Sequence, residues 1–360
     1  HFQEAGITDK AIHYLRQAGE RAVQLSAYQE AIAHLTRGLA LLMALPDSGA
    51  ENQRVERAQQ ELALLLSLGT AWIGTSAPGS EMEKAYSRAR ELGQQLGKTS
   101  QLCRVVGGLS ILHYVRSEHQ RARELAEEAL SLAQRTEDPL LVLLGHWHLG
   151  FVLFSLGEYT TALGHLEQVI TFYNPEQHHH SLVLLRGTDA GPSALAYAAC
   201  CLWCLGYPEQ ALKRSHEALD LVRALDHAFS LADTLCFGGC LFHEMRRDAP
   251  ALKDDAEELM RLSNEKSFAG WSGAGTCYRG EALAMLGQVQ EGMAQMREGL
   301  AAYPDQGKRC YLSGARCTRG EYQAQEGEAV HGQTTMAEAL AVVEEAEERR
   351  WDAELLGLWA

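Results

Sequence analysis

The chain has 360 residues, with 32 Lys and Arg against 47 Asp and Glu, a formal net charge of −15. That excess of acid argues against nucleic-acid backbones, which require clustered Lys and Arg. Apolar residues make up 46% with aromatics at only 7%, and no run of alternating β-branched residues stands out, so Ala/Leu helix interfaces are expected and strands are not.

The predicted elements are helical hairpins. Residues 8–45 form the first, with Ala27-Tyr28-Gln29 at its turn and Ile32, Leu35 and Leu39 lining the second helix. Residues 51–97 form the second, with an enlarged turn at Thr75–Ser80. Residues 100–135 form the third, with Gly107-Gly108 at a close approach. Residues 139–173 form the fourth. There His146–Pro175 reads HWHLGFVLFSLGEYTTALGHLEQVITFYNP, and Gly157 permits the turn because glycine reaches positive φ cheaply. Ala162, Leu166 and Val169, spaced i, i+4, i+7, share one helix face.

Asn174–Pro192 then interrupts the pattern, with at most a helical turn or an extended piece within Ser181–Arg186. An interruption of this kind is often functional. Hairpins follow at 193–225, 229–263, 269–303 and 311–348, and a further helix begins at 351–360. Small residues recur at Ala31, Ala85, Ala122, Ala162, Ala211, Ala251, Gly292 and Gly332. Most intervals are about 40 residues, against roughly 34 for the minimal tetratricopeptide motif. One hairpin cannot bury its apolar face alone, so neighbours must stack. The expected fold is all-α: a tetratricopeptide-like α-solenoid of about eight hairpins in a right-handed superhelix, one solenoid over 1–360.

The strings YQEAIAHLTRGLALLMALPD (Tyr28–Asp47), AYSRARELGQQLG (Ala85–Gly97), YNPEQHHHSLVLLRGTDAGPSALAYAACCLWCLGYPEQALKRSHEAL (Tyr173–Leu219) and GMAQMREGLAA (Gly292–Ala302) carry a resemblance. Across essentially its whole length the chain resembles the C-terminal tetratricopeptide region of bacterial signalling proteins. Those proteins join a class III adenylate/guanylate cyclase-like module to an AAA/STAND-type ATPase. The resemblance implies a regulatory or sensing tail, with cyclase and ATPase chemistry upstream and no catalytic residue here. The start at His1 and the end inside WDAELLGLWA fit a segment of a longer protein.

Other motifs read more simply as structure. GQQLGKTS (Gly93–Ser100) has three residues between its glycines where a phosphate loop has four. Gly97 there reads as a helix cap and Lys98 as a cation at a helix end. Cys200, Cys201, Cys204, Cys236 and Cys240 lie on predicted helices, where cysteine packs as a small hydrophobe, with metal or redox use as the alternative. Nine cysteines and a polar N-terminus without an apolar signal core suggest a reducing, cytoplasmic setting. Pro139–Gly157 is apolar enough to raise a membrane span, but its histidines, its glycines and the repeat register favour a buried helix.

The functional expectation is a non-catalytic interaction and regulatory module. It calls for no cofactor and no metal. Its partner would be a protein, a peptide or another domain of the same polypeptide, not nucleic acid or membrane. Candidate groove residues are His113, Tyr114, His146, Trp147, Tyr197 and Trp203, with buried packing as the alternative for the aromatics. In the insert the candidates are His178, His179, His180, Arg186 and Asp189. Adjacent histidines can ligate a transition metal, so an effector sensor of metabolite or metal is the alternative function.

Overall fold

A computed structural model describes residues 8–46, 50–75 and 79–302, together with Ala337 and Ala341. The hairpin expected over 311–348, the helix at 351–360 and parts of the loops after Leu45 and Thr75 lie outside the described residues. Within them the chain is all-helical, without strands, and builds a tetratricopeptide-like solenoid. The pairs are α1 (Thr8–Gln24) with α2 (Tyr28–Met43), α3 (Glu51–Ile73) with α4 (Ser80–Gln95), and α5 (Thr99–Val115) with α6 (His119–Thr136). Next come α7 (Pro139–Ser155) with α8 (Tyr159–Phe172), the inserted helix α9 (Pro175–Arg186), and α10 (Ala190–Cys204) with α11 (Pro208–Ala224). Then α12 (Ala228–Thr234) runs through a π-helical stretch (Leu235–Leu241) into α13 (Phe242–Met245) and pairs with α14 (Ala249–Lys266). The last pair is α15 (Ala269–Met285) with α16 (Val289–Ala301).

One device makes most of the turns. Ser26, Ser117, Gly157, Gly206, Arg247 and Gly287 each sit two residues past the first helix of a pair and two before the second, all at positive φ. At Gly157 the bonds show why. The Gly157 N–H reaches the Phe154 carbonyl and the Glu158 N–H reaches back to the Leu153 carbonyl at 2.9 Å. A left-handed residue is what lets both otherwise unpaired helix-end carbonyls find donors.

The stripe on α8 packs as its spacing requires. Ala162, Leu166 and Val169 are all at 0% exposure, and a Cβ on Gly150 would lie 2.6 Å from Leu166 Cδ2. Gly150 therefore lets α7 and α8 close over that leucine. Leu166→Ala is expected to cost about 2–3 kcal/mol in urea unfolding. The lower part of the usual range applies because two helices of a solenoid can close partly over the gap. A cost near zero would mean that the α7–α8 register is wrong.

The segment left as an insertion in the sequence is helical. Asn174 ends α8 and also begins α9: its Oδ1 accepts from the backbone N–H of Glu176 and Gln177, and Pro175 takes the first helical position. Asp189 caps α10 in the same way, through the Gly191 N–H, so α10 starts at Ala190 rather than near 193. Helix α9 packs against α1 and α3 and buries Leu182, Val183 and Arg186.

The first hairpin returns onto the sixth and seventh. Tyr28 meets Phe229 edge-on at 4.8 Å between centroids, and Phe229 meets Phe268 at 5.1 Å. Tyr28 Oη donates to the Gly187 carbonyl at 2.7 Å, and Ser26 Oγ lies 3.0 Å from His227 Nε2. The interior of the winding is thereby closed on one side by aromatic packing and on another by α9.

Candidate ligand-binding interior of the superhelix

Among the cavities formed by the described residues, two combine apolar walls with charged side chains and bear on binding. The first is a chamber of about 70 Å³ bounded by Trp147, Phe151, Tyr197, Phe229, Phe237 and Trp271. The rings form a continuous wall: Trp147–Phe151 centroids are 4.4 Å apart, Tyr197–Phe237 4.9 Å and Phe229–Trp271 5.9 Å. The π-helical stretch sets one part of it. An extra residue per turn re-aims side chains, and here Phe237 joins the wall while the Gly238 carbonyl accepts from Ser215 Oγ at 2.6 Å.

Arg186 and Asp233 bring charge to this apolar chamber. The Arg186 guanidinium lies 3.4 Å over the Trp147 ring and is bonded to Thr188, to the Asp189 carbonyl (3.3 Å) and to Ser193 (3.5 Å). Its Nη2 is 3.8 Å from Asp233 Oδ2. A buried cation stacked on tryptophan and facing a carboxylate is held by charge, ring and hydrogen bonds together. Beside it, burial and the Arg186 charge push His148 down to about 3, so this ring is neutral.

The second cavity is a cleft of about 470 Å³ between α1, α3, α5 and α9, walled by Leu62, Leu66, Leu140, Leu184 and Leu185. Arg16, Lys98 and Arg104 reach it, with Glu20 as the one acid.

The candidates named from the sequence separate into distinct settings. Tyr114, Trp147 and Tyr197 line the aromatic chamber and are at most 4% exposed. Tyr114 Oη is tied to Ser155 at 3.1 Å. His113 pairs with Glu118, and Trp203 packs against Phe242 at 6.2 Å; neither lines the chamber. His146 sits with its Nδ1 2.9 Å from His165 Nδ1, and burial lowers both rings, so the pair is neutral.

The three insert histidines go different ways, as adjacent residues on a helix must. His178 Nδ1 accepts from the Asn174 N–H at 3.0 Å, His179 Nδ1 meets Asp189 Oδ2 at 2.6 Å, and His180 is exposed. Asp189 is buried at 1% exposure and also accepts from Tyr173 Oη at 2.8 Å, while its own N–H donates to Ser230 Oγ at 2.9 Å. Among the described residues no group of three or more His, Cys, Asp or Glu is placed to hold a metal ion. No helix among them is long and apolar enough to cross a membrane.

Asp233, Phe229, Phe237, Trp271 and Arg104 were not singled out in the sequence. Asp233 and Arg104 did leave a signal: each is the one charged residue in a long apolar run, AFSLADTLCFGGCLF and LCRVVGGLSIL respectively.

These features define a tetratricopeptide-type superhelix with an aromatic, charged interior. No family model and no curated protein matches the chain. Solved structures do match in fold. The Rap protein complexed with Competence and Sporulation Factor is 12% identical, with a TM-score of 0.63 over 97% of this chain and 98% of that one. The Rap conjugation gene regulator of the plasmid pLS20, in complex with the Phr* peptide, is 14% identical, with a TM-score of 0.60 over 81% and 73%. NprR in complex with its cognate peptide NprX is 12% identical, with a TM-score of 0.54 over 84% and 82%. At these identities the likeness is one of fold.

Proposed function

We propose that the chain is a non-catalytic regulatory module that binds a peptide or protein segment inside its superhelix. The observation that carries this reading is the interior itself: an aromatic chamber with a buried Arg186–Asp233 pair, next to a wide, apolar-walled cleft. Extended segments bind such grooves through apolar anchors and a few placed polar groups. Proteins of similar fold have been solved with peptides bound, which supports the same use here.

The resemblance in the sequence adds the setting. In this reading the module is the sensing tail of a bacterial, cytoplasmic signal-transduction protein, and ligand binding changes the curvature of the stack. Upstream cyclase and ATPase domains of the same polypeptide are then the parts it controls. Of the insert residues, His178, His179 and Asp189 serve it structurally, by fixing the starts of α9 and α10, Arg186 faces the chamber, and His180 is exposed.

Selection of random peptides on the purified chain tests the proposal. Enriched peptides should share a motif and lose binding at least tenfold to Trp271→Ala, with His180→Ala as the indifferent control. Failure to enrich any motif, or enrichment indifferent to Trp271, would overturn it. Native mass spectrometry of the purified chain adds a check on the effector-sensor alternative, since a retained metabolite would move the reading from peptide to small molecule.

A further inference from the structure

We infer that the cleft between α1, α3, α5 and α9 is a site for an organic carboxylate carried on an apolar body, and that Arg104 is the residue that recognises it. The inference rests on the reading that the interior is a binding site and names the ligand chemistry of its wider cavity.

Arg104 lies mid-way along α5 between the buried residues Cys103 and Val105. Its Nε is shut off from water with no partner, the residue as a whole is partly buried, and Glu20 is the one carboxylate whose charge reaches it. The arginines around it behave differently. Arg16 is bonded to Glu20 at 2.6 Å, Arg88 to Glu61 at 2.7 Å and Arg116 to Glu83 at 2.9 Å. Burial lowers the Arg104 pKa, the signature of a cation held where water does not solvate it well. A desolvated guanidinium with no carboxylate bonded to it costs stability, so a fold that keeps one has a use for it.

The cleft supplies the rest of a site. Its one acid, Glu20, is bonded to Arg16 and to Ser67 Oγ at 3.2 Å and reaches Arg104 only through its charge. That leaves Arg104 inside and the exposed Lys98 at the rim, a local positive field in a chain of net charge −15. Leucines on α3, α7 and α9 make the walls apolar, and Gln59, Gln101 and Ser181 add neutral polar groups. At about 470 Å³ the cleft falls in the size range of small-ligand pockets, roughly 300–1,000 Å³. A guanidinium matches a carboxylate in two parallel hydrogen bonds, and leucine walls match an aliphatic body. The C-terminal end of an apolar peptide and a free organic acid both present this chemistry.

The test is thermal unfolding of the whole chain and its Arg104→Met variant with four probes: hexanoate, the tripeptide Leu-Leu-Leu as free acid, the same tripeptide as C-terminal amide, and inorganic phosphate. The acids should raise the melting temperature of the parent chain. The amide and phosphate should not. A shift from the tripeptide acid at much lower concentration than hexanoate assigns the source to a peptide terminus, and the reverse order to a small acid. Arg104→Met should weaken acid binding by about ten- to a hundredfold, the worth of hydrogen bonds to a charged group. It should also raise the melting temperature of the ligand-free chain, because it removes an uncompensated charge. The inference is overturned if no acid shifts the parent, if acid and amide shift it equally, if phosphate does as well, or if Arg104→Met lowers the ligand-free melting temperature. Selected peptides that still need Trp271 after such a result would leave the interior reading standing and remove only the carboxylate site.

Discussion

Phe229→Ala is expected to lower the stability of the chain by about 3–5 kcal/mol, the range for removing a buried phenylalanine side chain. Phe229 is 4% exposed and packs at once on Tyr28 at 4.8 Å, Phe268 at 5.1 Å and Trp271 at 5.9 Å. It is the point at which the first hairpin meets the sixth and seventh. In an open solenoid each hairpin touches only its neighbours, and a core substitution is felt locally. Here the loss should also release the first hairpin. Urea unfolding should therefore show both a lower midpoint and an earlier, separate transition for α1 and α2. Small-angle scattering of the folded variant should show a larger radius of gyration. Tyr28→Phe is the conservative companion: it keeps the ring and removes the hydrogen bond to the Gly187 carbonyl, for about 1–2 kcal/mol. A Phe229→Ala cost under about 1 kcal/mol would mean that the closure contributes nothing to the fold.

What the sequence showed and what it hid divide by the range of the interaction. The i, i+4, i+7 spacing of Ala162, Leu166 and Val169 is local, and it is the stripe that packs on α7. Leu156-Gly157 is local too, and it is a turn. Asn174-Pro175 was legible but carried two meanings. It stops α8 and starts α9, since asparagine caps a helix N-terminus and proline suits its first position. Helix α9 itself, HHHSLVLLR, has no repeated apolar stripe, because only Leu182, Val183 and Arg186 are buried, all in its second half. The closure left no periodic trace at all: Ser26 and His227 are 201 residues apart and meet only because several hairpins each add a small rotation. Tyr114, Trp147 and Tyr197 could be picked as residues of first helices; Phe229 and Trp271 also sit on first helices, of the sixth and seventh pairs, but only the long-range return of the winding brings them to the same chamber.

Acidification is expected to weaken the fold, and to weaken it first at the closure. His148 sits at about 3 and His227 at about 4, both pushed below the ordinary histidine value of 6.5 chiefly by burial. The folded chain therefore favours the neutral rings. Their contribution is complete above pH 6.5 and is lost as the pH falls from there through about 4 and then 3. Asp255 works the other way: burial raises it to about 7, so its contribution is complete below the ordinary 3.8 and is lost as the pH rises through 7. Between pH 6.5 and 4 the unfolded chain gains two histidine protons that the folded chain refuses, and lacks the one that Asp255 holds. The net is about one proton, worth about 1.4 kcal/mol per pH unit, or about 3 kcal/mol over the window. His146, His165 and His243, also lowered, add to it with the same sign.

At His227 the structural consequence is specific. Its Nδ1 accepts from the Ser230 N–H at 3.2 Å, and a protonated imidazole offers a donor there instead. The Ser230 N–H then loses its acceptor, and a buried charge is left beside Ser26 and the first hairpin with only the Ser230 and Ser26 hydroxyls to accept from it. Urea unfolding at pH 7 and pH 4.5, with His227→Gln beside the parent chain, separates this from a general acid effect. Glutamine can still accept from Ser230 but does not titrate, so the variant should lose a good part of the pH dependence. Equal stability of the parent at the two pH values would sink the argument. Equal pH dependence in the variant would move the acid-sensitive point away from the closure and onto His148, beneath Arg186.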